Sequence, residues 1–261
     1  MKDKNLLVRG LSVLEQLTTQ AALSTEQVSA TTGIPKPSAY RILCTLEHAQ
    51  YVIRKKDGPE DIWSVDLSFL ALSANILSRL DLRTDLRDIL IKLADDTREI
   101  VQLAIWHRDR VVIVDNIKRY DSLVSFAREG ASLHINSCVA GFVFGAFNEE
   151  TEVESALKGD LPRSTKYTIT DPARLRKMFA RVRDLGYGVD DQYRAEGHRC
   201  VGAPVFDHTG HIVAEINISG HIQTLTDGTL QRYALKVIQR AAEASERLGY
   251  RKTLRRKHLK N

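Results

Sequence analysis

Gly33, Pro35 and Pro37 punctuate one short run of this chain, and they limit its folding more tightly than any other feature. Glycine ends helices in a left-handed conformation. Proline opens them, at positions where its missing N–H costs nothing. Upstream, Ser24 with Gln27 three residues on has the form of a capping box, so a helix is expected over 25–32. Downstream, Ala39, Ile42, Leu43 and Leu46 recur at i, i+3, i+4 and i+7 and make one buried face. Arg41 and His48 point the opposite way, Ser38, Tyr40 and Thr45 flank them, and Cys44 also faces outward on the helical wheel. Ahead of this pair, Leu6, Leu7, Leu11, Leu14 and Leu17 fit the stripe of another helix. After it, Val52 and Ile53 begin one strand of a hairpin and Ile62, Trp63 and Val65 lie in the other. Asp57-Gly58-Pro59 supplies the turn, and Arg54, Lys55 and Lys56 cluster beside it. Three helices and a basic hairpin make a winged helix-turn-helix over residues 1–66. In such a domain the third helix enters the DNA major groove and the wing touches backbone phosphates.

The charge balance adds little to that reading. The chain carries a net +5, but RKTLRRKHLK, the ten residues before Asn261, holds six Lys or Arg, and without them the remainder stands at −1. Residues 251–260 with Asn261 read as a basic, solvated tail. The three cysteines, Cys44, Cys138 and Cys200, lie far apart with no CxxC pair, which fits a reducing compartment. No signal-peptide core opens the chain and no run reaches the length of a membrane span, so a cytoplasmic protein without a membrane partner is expected.

Helical stripes continue through Leu67–Leu77 and Leu82–Leu93 and break near Arg79-Leu80-Asp81, which makes 67–80 a candidate linker and dimerisation helix. Beyond residue 98 the texture changes. Short β-rich runs (Ile100–Trp106, Val111–Ile117, Leu123–Ala127, Tyr187–Val189, Cys200–Phe206 and Ile212–Ser219) alternate with helices near 139–147, 151–157, 172–185 and 230–248. The class is therefore α+β, with a second, α/β domain over 81–250 built on a mostly antiparallel sheet.

Asp207-His208-Thr209-Gly210 is a polar turn between two such runs. If the loop is those four residues, Phe206 pairs with His211, Gly202 faces Glu215, Cys200 faces Asn217 and His198 faces Ser219. Side chains alternate faces along a strand. Val201, Ala203, Val205, Ile212, Ala214, Ile216 and Ile218 then form a core face. Cys200, Gly202, Glu215, Asn217 and Ser219 form a small polar face on which a ligand fits, with Gly202 leaving room beside them. Four of the eight histidines fall in this stretch. His208 and His211 belong to the turn, and His198 and His221 lie about 25 Å away at roughly 3.3 Å per residue, so no shared metal is expected.

In their order and spacing VRGLSVLEQL, GIPKPSAYRILCTLEHAQYV, LHINSCVAGFVFGAF, LGYGVDDQYRAEGHRCVGAPVFDHTGHIVAEINISG and VIQRAAEASERLGY resemble the IclR family of bacterial transcription regulators, over residues 8–250. The resemblance implies an N-terminal winged helix-turn-helix, a linker helix, and a C-terminal effector domain of the GAF and profilin-like kind. It implies a dimer or tetramer that binds operator DNA, is switched by a small organic or aromatic acid, and acts as repressor or activator, with RNA polymerase contact as a further partner. A repressor is the preferred form. It carries Ser38, Tyr40 and Arg41 over as DNA contacts, beside Lys36 near the helix start and Arg54, Lys55 and Lys56 on the wing. Into the effector pocket it carries Ser137 and Cys138 at a helix start, Asp190, Cys200, Asn217 and Ser219, with Glu215 on the same face. Free N–H groups at a helix start suit a carboxylate.

The chain departs from the family at Gln192 and Tyr193, where two acidic residues are frequent, at Ser137–Gly141, usually richer in small residues and followed by a Lys, and at Glu215, where a small residue is usual. An ionised Glu215 would repel an anionic effector. No cofactor or metal is expected. The alternative reading is an enzyme or metal-binding protein using Cys138 or Cys200 with His134 or His198. Residues two apart on a strand lie about 6–7 Å from each other, which makes His198 and Cys200 a poor catalytic pair.

Overall fold

The computed structural model describes residues 5–20, 22–57, 60–69, 81–118 and 128–251. The turn at Gly58–Pro59, the linker helix beyond residue 69, the strand expected at Leu123–Ala127 and the basic tail from residue 252 lie outside them. The chain divides into two compact units, Met1–Leu80 and Asp81–Asn261.

In the first unit α1 (Leu6–Thr19), β1 (Leu23–Ser24), α2 (Thr25–Thr32), α3 (Lys36–His48), β2 (Val52–Asp57) and β3 (Glu60–Val65) follow in order. The strands form a small antiparallel sheet ordered β1-β3-β2. The capping box forms: Gln27 N donates to Ser24 Oγ and Ser24 N to Gln27 Oε1. Gly33 closes α2 at φ 66°, a conformation that side chains resist. Ala39, Ile42 and Leu43 of α3 pack with Val13, Leu17, Val28 and Ile34 around Trp63, which is fully buried and donates its indole N–H to Thr25.

One expectation fails here. Cys44 does not face outward; it is half-buried against the same core. The leucine stripe of α1 forms the expected helix, but Leu6, Leu7 and Leu11 remain 69%, 71% and 53% exposed. The core needs only Val13 and Leu17, one turn apart, and these two satisfy it.

The second unit runs α4 (Asp81–Thr97), β4 (Ile100–His107), β5 (Arg110–Ile117), β6 (Ser132–Leu133), α5 (Val139–Phe147), α6 (Glu150–Lys158), α7 (Pro172–Leu185), β7 (Gly188–Asp191), β8 (His198–Phe206), β9 (Ile212–His221) and α8 (Asp227–Arg247). Six strands make one antiparallel sheet ordered β6-β5-β4-β9-β8-β7. Helices α4 and α8 pack on one another and on the sheet, and Arg240 of α8 pairs with Asp96 of α4 at 2.7 Å. Helix α5, eight of whose nine residues are buried, packs against β7, β8 and β9, with α7 against α5. Together they enclose a core of Phe142, Val143, Phe144, Leu175 and Phe179.

The β8–β9 register differs from the expected one. The loop has five residues, because Phe206 pairs with Ile212, and a bulge follows, so that Val205 meets Ala214. The two irregularities sum to a shift of two residues. Cys200 pairs with Ser219, Gly202 with Asn217, Pro204 with Glu215 and His198 with His221. An even shift preserves which side chains share a face, so the polar face survives with different partners. Ile212, beyond the bulge, leaves the expected core face and joins the cluster around Phe142.

Candidate functional site

The outer side of α3 and the wing carry the first set of candidate residues. Lys36, Arg41, Lys55 and Lys56 are exposed, and Ser38 is half-buried at the first turn. Lys36 pairs with Glu26 at 3.1 Å, a surface bridge too weak to withhold it from a phosphate. Arg54 is differently placed. Its guanidinium donates to Glu47 at 3.1 Å and to Tyr40 Oη at 3.1 Å, meets Asp61 at 3.5 Å, and lies 5.2 Å over the Trp63 ring. Tyr40 stacks edge-on against the same ring at 5.9 Å. These contacts give Arg54 and Tyr40 a scaffold role, joining the wing to α3. That pairing is legible only in three dimensions.

The second set lies in the other unit, where the polar face of the sheet meets the start of α5. Two rows of directly opposed residues cross the strands: Asp190, Cys200 and Ser219, then Gly202, Asn217 and Gln102. A cavity of about 20 Å³ between sheet and helix is lined by Cys138, Asp190, Cys200, Asn217 and Ser219 from the expected set, together with Val139 and Ala140 in the first turn of the helix. Gln102, Arg194 and His198, with the apolar Ile113 and Leu133, complete the lining; sequence reasoning missed them as pocket residues, although Gln102 stands directly opposite Asn217. Ser137 is not among the lining residues, because its hydroxyl donates to His134 O in the preceding turn. The space above Gly202 is not open to a ligand. The Glu215 carboxyl fills it, so closely that a Cβ at 202 would stand 1.8 Å from Oε1.

Burial dominates the electrostatics. Glu215 is fully buried and is pushed up to about 8, with a hydrogen bond from Asn217 Nδ2 pulling the other way. Asp190 is raised to about 7 by burial, although the backbone N–H of Tyr193 at 2.7 Å favours its charge. Near neutrality Glu215 is therefore largely uncharged, and the expected repulsion of an anion falls away. Burial drives the Cys138 thiol to about 12, Cys200 well above its ordinary value, and His198 down to about 4. Neither thiol is an activated nucleophile and His198 is neutral. His134 turns its ring to Asp160 O and Arg110, while Cys138 Sγ caps α5 by accepting from Gly141 N. The separation of His198 and Cys200 needs correcting, however, because their side chains lean together to 3.6 Å.

The Glu215 carboxyl gives a signed pH prediction. Its folded value lies above the unfolded one, so its contribution to stability is complete below the unfolded value, near 4.5, and is lost as pH rises through about 8. Thermal melts from pH 6 to 9 are expected to fall more steeply for the wild type than for Glu215→Gln. Parallel curves would contradict the assignment.

The model of the bacterial transcriptional regulator IclR C-terminal domain matches residues 74–246, and that of the IclR helix-turn-helix domain matches residues 6–55. The chain belongs to the IclR family. Its relatives in that family include the HTH-type transcriptional regulator KdgR of Escherichia coli, 28% identical over 94% of this chain and 92% of the relative. The crystal structure of the Thermotoga maritima IclR superposes with a TM-score of 0.72 at 28% identity, covering 95% of this chain and all of that one. An IclR homologue from Microbacterium hydrocarbonoxydans, solved with 4-hydroxybenzoate, shares the fold at TM-score 0.76 and 20% identity over 94% of this chain and 99% of that one. IclR membership makes the first unit a DNA-binding helix-turn-helix and the second an effector-binding domain of a transcriptional regulator. The family is one of regulators, not enzymes. Among the described residues no helix is long and apolar enough to cross a membrane.

Proposed function

We propose that this IclR-family protein is a repressor that holds a near-palindromic operator as a dimer or dimer of dimers and is switched by a small organic acid, aromatic acids included. The observation that carries the switch is the cavity itself. At about 20 Å³ it is far below the roughly 300–1,000 Å³ of ordinary ligand pockets. An organic acid enters only if α5 and the sheet part, so the ligand prefers the opened state, which is what coupling to DNA requires. Arg194 and the first-turn amides of Val139 and Ala140 stand ready for its carboxylate. The homologue complexed with 4-hydroxybenzoate supports an aromatic acid as the ligand class. The operator reading rests on Arg41, Lys55 and Lys56, and Lys36 and Ser38 serve as phosphate contacts. Anisotropy with the promoter region beside its own gene tests the proposal: preference over bulk DNA at physiological salt, relieved by aromatic acids, is expected. Equal affinity for both DNAs would refute it.

Self-association has its own support in the apolar groove of the first unit, where Leu6, Leu7, Leu11 and Leu14 face Leu46 and Tyr51. Exposed leucines at this density mark an interaction surface. Two third helices in a dimer would sit about 34 Å apart, one helical turn of DNA. Leu7→Glu is expected to shift sedimentation toward monomer and to weaken operator binding at least tenfold while leaving the melting temperature of the effector domain unchanged. An unaltered sedimentation profile would remove α1 from the interface.

A further inference from the structure

Strand β7 ends the six-stranded sheet, so one of its edges pairs with β8 and the other has no strand beside it. Directly opposed residues of an antiparallel ladder alternate between bonded and unbonded pairs. The Gln192 N–H donates to His198 O at 2.9 Å and continues the β7–β8 register, which makes Asp190–Cys200 and Gly188–Gly202 the bonded pairs. The next ladder agrees: Ile222 N donates to Gly197 O, so Arg199 and Val201 turn their backbone groups to β9 rather than to β7. The N–H and C=O groups of Val189 and Asp191 therefore point out of the open edge of the sheet. The chain caps the carbonyls just beyond them, with Thr165 Oγ1 donating to Gln192 O and Thr168 Oγ1 to Tyr193 O, both at 2.7 Å. Among the described residues it provides no such partner for Val189 or Asp191.

Those groups open into a groove of about 390 Å³, within the roughly 300–1,000 Å³ of ordinary binding sites. The groove shares no lining residue with the effector cavity. Met178, Val182 and Leu185 of α7 form one wall and Leu230 of α8 the other, with Val189 and Asp191 between them. Its charges are unequal. Asp191 and Asp227, both in the lining, are bound by Arg199 at 2.9 and 2.8 Å. Arg181, on the α7 wall, is exposed and makes no ion pair among the described residues. Burial raises the Tyr193 phenol in the groove, and Arg174 and Arg181 together pull it back, which places both cations near it. Arg176 and Arg183 of the same helix are instead committed to Glu154 and to Ala146 O. The groove thus combines apolar walls, unspent backbone donors and acceptors, and a surplus of positive charge.

We propose that the open edge of β7 docks an extended segment of a partner protein in which acidic and apolar residues alternate. Strand addition draws its affinity from main-chain hydrogen bonds and its selectivity from pockets for alternate side chains. A strand laid in the groove bonds the N–H and C=O groups of Val189 and Asp191 and turns successive side chains to opposite faces. Its acidic residues meet Arg181 and Arg174 on the α7 side, and its apolar residues meet Leu230 on the α8 side. Charges on an edge strand usually blunt such pairing. The charge on this strand's outer edge, Asp191, is neutralised by Arg199. A second copy of this chain suits the edge less well, because it brings the same unpaired arginines.

Anisotropy of labelled Glu-Val-Glu-Val-Glu with the full chain, and of Lys-Val-Lys-Val-Lys as its control, tests the site. The acidic peptide is expected to bind and the basic one to stay free. Arg181→Glu should weaken the acidic peptide about tenfold, the loss of one charge-assisted hydrogen bond. Val189→Pro removes an outward N–H without touching the ladder to β8, a place where an edge strand tolerates proline. It should abolish binding while circular dichroism stays that of the wild type. Hydrogen exchange followed by NMR should show the Val189 and Asp191 amides exchanging faster than those of Gly188 and Asp190, and slowing when the peptide is added. No binding of the acidic peptide, equal binding of the basic one, or binding that leaves those two amides unprotected overturns the proposal. Protection of both amides in the free protein that is lost on dilution would place a second copy on the edge and overturn it as well.

Discussion

Arg41→Ala is expected to weaken operator binding by roughly 5- to 150-fold, the loss of one bidentate arginine–guanine contact worth about 1–3 kcal/mol. Arg41 is exposed on α3, one residue before the buried Ile42–Leu43 pair that seats the helix on its core. Truncating it removes reach without disturbing packing. Operator affinity should therefore fall with the melting temperature constant, and discrimination at one base pair should relax. If Arg41 instead holds a phosphate, affinity falls evenly across sequences and the salt dependence drops by about one counterion. Anisotropy titrations at several salt concentrations, on the operator and on single-base variants, distinguish the two. Unchanged affinity on every sequence would take α3 out of the interface.

Gly141→Ala is expected to be the most damaging single methyl in the effector domain. The added Cβ would stand 2.2 Å from Ile135 O and 2.7 Å from Ile135 C, both backbone atoms of a buried residue. Neither side can yield cheaply, because α5 is buried along almost its whole length. Overpacking typically costs about 1–3 kcal/mol and more where backbone must move. For a unit of this size 3 kcal/mol lowers the melting temperature by roughly 6–12 °C. Gly186→Ala is the contrasting case, a left-handed glycine at φ 76° with nothing near its absent Cβ. It should cost only about 1 kcal/mol. A Gly141→Ala protein melting with the wild type would mean that α5 and the preceding turn do not approach as described.

Much of this arrangement was legible in the sequence, and the failures have physical causes. Ser24, Gln27, Gly33 and the two prolines act through local backbone geometry, so the helix-turn-helix could be read directly. The polar face of β8 and β9 was legible because the five-residue loop and the bulge displace the register by two, which alternation cannot detect. The partners across the strands were not legible for the same reason. Gly202 was read as space for a ligand, whereas its missing Cβ accommodates Glu215, two residues before Asn217 on the neighbouring strand. Arg54 looked like a free wing charge, because no one-dimensional pattern announces that Glu47, Tyr40 and Trp63 converge on it. His198 and Asp190 stand opposite or beside Cys200 only once the sheet is assembled.

The Arg54 clamp also bears on how such a molecule can be turned off. Wing and reading helix are tied by one guanidinium to a carboxylate, a phenol and an indole. The surface proposed to face DNA is thereby braced as a rigid stamp. In the dimer proposed above, what a signal would alter is the distance between two identical stamps. Inactivation on this view is a loss of spacing, and the silenced protein should still grip a single half-site as firmly as the active one.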